Sequence, residues 1–116
     1  MAMPSIFDLN LYEGDDTVWV FQHTDDLGVP QSLAGCQIRL ATKRQYKDPA
    51  ALLLVHAQII NEPLGKFAIS IPHSVTGGLT QGQPLPLVHD IQLTMANGYV
   101  RTLLRGALTI TPEVLP

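Results

Sequence analysis

Apolar residues recur at every second position along most of this chain, the period of a half-buried β-strand. Phe7, Leu9 and Leu11 alternate with Asp8, Asn10 and Tyr12. Residues 17–23 (TVWVFQH) are β-branched and aromatic, which predicts a second strand. Residues 37–42 put Ile38 and Leu40 on one face and Arg39 on the other. Phe67, Ile69 and Ile71 alternate with Ala68 and Ser70, and Pro72 ends that strand. Leu87, His89, Ile91, Leu93 and Met95 alternate with Val88, Asp90, Gln92 and Thr94. Residues 99–111 return as the partner strand and stop at Pro112.

Turn chemistry punctuates these runs. Glu13-Gly14-Asp15-Asp16 is a turn, residues 25–30 (DDLGVP) a loop, and residues 43–49 a polar, charged surface loop. Residues 52–60 (LLLVHAQII) suit a helix on propensity, but Pro49 precedes them, Pro63 and Gly65 follow, and the window is short. They are read as a strand. Residues 73–86 hold three Gly and two Pro, so they predict a crossing connection with one helical turn near Val75. Asn97-Gly98 predicts a type I′ hairpin, and Gly106 a bulge in the last strand. About seven strands with regular turn signals predict an all-β fold, an immunoglobulin-like antiparallel β-sandwich spanning residues 1–116 as one domain. A small barrel is the competing architecture. Met3-Pro4 and Leu115-Pro116 read as short tails.

Composition narrows the function classes. The 116 residues are 46% hydrophobic and 15% charged, too apolar for a disordered chain. The longest apolar run, residues 50–55, falls far short of the roughly 18 residues of a membrane helix. Seven Lys+Arg against ten Asp+Glu give a net charge of −3, so no nucleic-acid or membrane partner is expected. The first ten residues lack the basic and apolar regions of a secretory signal. The single cysteine, Cys36, cannot form an intrachain disulfide, and is read as a small buried hydrophobe opening a strand.

Candidate chemistry is sparse. His23, His56, His73 and His89 lack the short spacing of a metal motif, so His56 and His89 are placed on sheet faces and His73 in a loop. Asp15-Asp16 and Asp25-Asp26 are read as turn residues that hydrogen-bond their own backbone. No serine lies in a G-x-S-x-G elbow, and Gly77-Gly78 and Gly82 lack a phosphate-loop setting. No cofactor, metal or catalytic residue is predicted. Trp19 is read as a core residue. Tyr46 differs, being an aromatic among Lys43, Arg44 and Lys47 in a surface loop. These four residues are the candidate partner contact, set against the simpler reading of a solvated loop with one amphipathic ring.

The order of short motifs carries a resemblance. Asp8-Leu9 and Gly14-Asp15 come first, then Gly28-Val29-Pro30, Leu33-Ala34-Gly35 and Ile38-Arg39. Asp90, Asn97-Gly98, Leu104-Arg105-Gly106 and Pro112-Glu113-Val114 follow. Over residues 8–114 this series resembles small all-β structural proteins of tailed bacteriophages, including the N-terminal domain of upper baseplate proteins. Ser32, Ala34, His89 and Leu115 depart from the Asp, Thr, aromatic and final Thr that the family carries at those places. The resemblance implies a structural component of the virion (tail, baseplate or fibre attachment). It would be assembled in the host bacterial cytoplasm among other virion structural proteins, as a homo-oligomer in a symmetric assembly. A capsid decoration or head-fibre protein is a variant of that reading. A carbohydrate- or receptor-binding β-sandwich module is the alternative that Tyr46 and Trp19 suggest, and a small metal-dependent enzyme the one that the four histidines suggest.

Overall fold

The computed structural model describes residues 5–113; Met3-Pro4, Val114 and Leu115-Pro116 lie outside them. Its elements are β1 (Ser5–Ile6), β2 (Leu9–Tyr12), β3 (Thr17–Gln22), β4 (Gln37–Lys43), β5 (Leu53–His56), β6 (Gln58–Asn61), β7 (Lys66–Ile71), α1 (His73–Thr76), β8 (Leu85–Thr94) and β9 (Val100–Thr111). One sheet has the order β1-β9-β8-β4-β5, with β2 also on β9, and the other the order β3-β7-β6. The fold is all-β, and both sheets contribute to a single core.

Alternation dictates that core. Leu9 and Leu11, Ile38 and Leu40, Phe67, Ile69 and Ile71, Leu87, Ile91 and Leu93, and Leu108 and Ile110 are all buried in one cluster. Each lies two positions from the next on its strand, with buried His89 filling the place between Leu87 and Ile91, so these strands turn one face inward. Burying each such side chain is worth about 1.5–3 kcal/mol relative to exposure. Trp19 and Phe21 pack against the cluster half-buried, while Val18 and Val20, in the alternate phase, face outward. Cys36 sits immediately before β4 and also packs against the core half-buried.

Four details differ from the sequence reading. First, the large sheet is mixed: β1 and β2 run parallel to β9. Period-two alternation marks a strand but not the direction of its partner, which depends on the free edge where the chain enters. Second, residues 52–60 form two strands, because β5 pairs with β4 in one sheet and β6 with β7 in the other. The chain changes sheet at Ala57, whose N–H donates to Ile38 O at 2.8 Å.

Third, the β8–β9 hairpin is not type I′. Gly98 has φ +87° but Asn97 does not have positive φ. Met95 N–H donates to Tyr99 O, and Gly98 N–H to Met95 O, leaving a three-residue loop with glycine in the left-handed position. Fourth, the bulge in β9 falls at Leu103, between the pairs Ile91↔Leu104 and Gln92↔Thr102, and not at Gly106. Gly106 pairs regularly with His89. Its role lies on the opposite side of β9, between β1 and β2, where an added Cβ would lie 2.6 Å from Phe7 O. The single helical turn expected near Val75 is α1.

Candidate interaction surface

Tyr46 stands in the loop between β4 and β5. A local turn shapes it: Gln45 N–H donates to the Asp48 carboxylate at 3.1 Å, and Asp48 N–H to Gln45 O at 3.1 Å. The loop folds back over the outer face of the large sheet. There Arg105 Nη2 donates to the Tyr46 hydroxyl at 3.2 Å, and the guanidinium lies 5.2 Å from the ring centroid. The hydroxyl and nearby Asp90 favour the charged guanidinium and raise its pKa further above the ordinary arginine value. Tyr46 is thus oriented by a residue of β9 while its ring stays half-exposed to solvent.

Register explains what gathers beneath it. On the outer face Arg39 pairs with Gln92 and His56, Ala41 with Asp90 and Leu54, and Asp90 with Arg105. A groove of about 470 Å³ runs over this face, with Ala41, Pro49 and Leu54 as its apolar part and Arg39, Lys43 and Asp90 as its charged part. Arg44 and Lys47 are exposed in the adjoining loop. The structure therefore brings Tyr46 and Lys43 to one surface and adds Arg39, Asp90 and Arg105 to it. The sequence signal for those additions is the outward phase of the alternation in β4, β8 and β9.

This surface carries most of the positive charge of an acidic chain. Arg39, Lys43, Arg44, Lys47 and Arg105 are five of the seven Lys+Arg, and the carboxylates beside them are Asp48 and Asp90, giving a local net charge of +3. The remaining two cations and eight carboxylates give −6, which together restores the overall −3. A face of this kind, with a groove part apolar and part basic beside an oriented aromatic ring, suits an acidic protein surface.

Acidic groups gather beyond β2. Glu13 is buried and its carboxylate accepts from Thr80 N–H at 2.8 Å. Gly14 N–H donates to Thr76 Oγ1 at 3.0 Å, and the Glu113 side chain lies against Gly14. Asp16 accepts from His73 N–H at 2.7 Å and faces His73 Nδ1 at 2.9 Å. The backbone bond and then the ring hold the Asp16 carboxyl below its usual pKa.

The four histidines stay apart. His23 lines a cavity of about 340 Å³ with Phe7, Phe21, Phe67 and Arg101, His56 is exposed on β5, His73 opens α1, and His89 is buried on the inner face of β8. Among the described residues, no group of three or more His, Cys, Asp or Glu could hold a metal ion. The Asp25 carboxylate accepts from Leu27 and Val29 N–H, both at 2.9 Å, so it shapes its own loop. No model of a known protein family matches this chain, and no curated protein is similar to it in sequence.

Proposed function

We propose that this chain is a structural component of a bacteriophage virion, a tail, baseplate or fibre-attachment protein that acts through protein–protein assembly. The observation that carries this reading is the outer face of the large sheet, where Tyr46 is oriented by Arg105 above a groove bordered by Arg39 and Lys43. The motif series gives it further support, because its residues hold structural positions. Asp8 Oδ1 accepts from Ala107 N–H at 3.0 Å beside Gly106, and residues 25–30 close into a hydrogen-bonded loop that presents Leu27 at 89% exposure.

The proposed architecture is an immunoglobulin-like sandwich. Its support is strand order: β3-β7-β6 corresponds to B-E-D, and β9-β8-β4-β5 to G-F-C-C′. The antibody hallmarks of a paired cysteine and a strand-C tryptophan are replaced here by a lone Cys36 and by Trp19 on β3.

The test is mass spectrometry of purified particles from a host that produces this chain. Recovery at a fixed ratio to the major tail or capsid proteins is the expected result. Particles that lack it overturn the reading.

A further inference from the structure

We propose that the outer face of the large sheet docks onto the acidic corner of a second copy of this chain. The inference rests on the reading of the chain as an assembly component and adds the surfaces and the partner.

Three observations carry it. The first is charge. Five of the seven Lys+Arg lie on or beside one face, while Asp15, Asp16 and Glu113 lie exposed at the β2–β3 turn and the end of β9. The His73 ring faces Asp16 there, with Nδ1 2.9 Å from the carboxylate. One surface of the chain therefore complements another surface of the same chain.

The second is placement. The large sheet ends in β5 on one edge and in β1 and β2 on the other. The groove lies over β4 and β5, and the acidic turn follows β2. With strands about 4.8 Å apart, the groove strands β4 and β5 lie three and four spacings from β2, roughly 14–19 Å across the sheet, while Arg105 on β9 lies one spacing away. Patches set apart in this way pair crosswise between two copies, basic face on acidic corner, with both pairs closed in a two-fold dimer or one pair per contact in a continuing array. Stacking the basic face on itself would instead oppose Arg39, Lys43 and Arg105 to their own copies, a like-charge arrangement.

The third is the apolar component. Tyr12 is 60% exposed on the outward side of β2 beside the acidic turn, and Leu54 is 54% exposed in the groove. Each charged patch thus surrounds or borders an exposed apolar side chain, as a docking surface with a polar rim requires.

The test uses two charge-reversed variants of the full chain, Arg39→Glu with Lys43→Glu, and Asp15→Lys with Glu113→Lys. Asp16 is kept because it caps His73 N–H. Circular dichroism confirms that each variant folds, and Gln and Asn at the same positions replace any that does not. In sedimentation velocity at about 20 mM salt the wild-type chain is expected to form concentration-dependent oligomers that dissociate at about 0.5 M, as screening shortens the reach of charge. Each variant alone is expected to associate at least tenfold more weakly. An equimolar mixture of the two charge-reversed variants is expected to regain association, because the intact face and corner still pair and the reversed face complements the reversed corner. A wild-type chain that stays monomeric at low salt, or a mixture that does not pair, overturns the inference. Such a result with the chain present in purified particles leaves the assembly role standing and removes only this contact. Absence from the particles strikes the assembly role itself.

Discussion

The Nε2 atom of His89 lies 2.6 Å from the carbonyl oxygen of Phe7, 82 residues away in the sequence. A carbonyl only accepts, so Nε2 carries a proton and donates it; Nδ1 is buried without a partner among the described residues. The bond forms because the chain pauses between β1 and β2. Phe7 N–H still donates to Arg105 O, Phe7 O turns over Gly106 to His89, and the Asp8 carboxylate takes up Ala107 N–H. The glycine makes room for all of this. In Gly106→Ala the new methyl would meet Phe7 O and Asp8 Oδ1, and both bonds would be lost or strained. The Asp8–Ala107 bond is exposed and the His89–Phe7 bond part-buried. An unpaired buried polar group costs about 1–3 kcal/mol, so the variant should lose about 1–3 kcal/mol in urea denaturation. A loss under about 0.5 kcal/mol would show that this crossing is not what Gly106 serves.

Much of this fold is legible in the alternation. Leu87, His89, Ile91 and Leu93 share a phase, and all four are buried. The same phase puts Arg39, Lys43 and Asp90 outward, so the charged face was written in the sequence as the complement of the core. Other features were not legible, because they depend on partners distant in sequence. Nothing in Leu9 and Leu11 specifies a parallel neighbour, and nothing in Ala57 marks a change of sheet until both sheets exist. A glycine inside a strand points to a bulge, whereas the constraint at Gly106 is a carbonyl arriving from Phe7. Tyr46 stood out by its charged neighbours, but Arg105, 59 positions on, gives its ring an orientation.

The His23 imidazole should make the fold sensitive to mild acid. Burial, and then the charge of Arg101, lower its pKa below the usual 6.5. A group with a lowered basic pKa in the folded state takes its proton first in the unfolded chain. Stability therefore falls as pH drops through 6.5 toward the folded value, and is full above it. Thermal melts at pH 7.5 and 5.5 should show a larger loss in the wild-type chain than in His23→Gln. Equal losses would mean that the ring is not desolvated at the cavity rim.

Asp16 acts at the other end of the pH scale. Its carboxyl is held below the usual 3.8 by the His73 N–H and then by the His73 ring. A depressed acidic pKa contributes stability above the unfolded value and loses it as pH falls through the folded one. Asp16→Asn should therefore melt at a lower temperature than the wild-type chain near neutral pH. The gap should close progressively below about pH 4. A gap independent of pH would assign the effect of the substitution to packing alone.

Tyr46 separates stability from docking. Its ring is 53% exposed and its hydroxyl is bonded only to an exposed Arg105, so removing it takes little from the core. Tyr46→Ala should shift Tm by less than about 2 °C. At an interface the same ring is a large, oriented anchor, and truncating such residues commonly weakens binding by tenfold or more, about 1.4 kcal/mol. Low-salt self-association of Tyr46→Ala should fall by about that factor, while Tyr46→Phe, which keeps the ring and loses the bond to Arg105, should stay close to wild type. Association of Tyr46→Ala at wild-type strength would mean that the loop merely covers the sheet. A glycan-array signal lost in Tyr46→Ala would instead make the ring a sugar platform, the use of an exposed aromatic that competes with docking here.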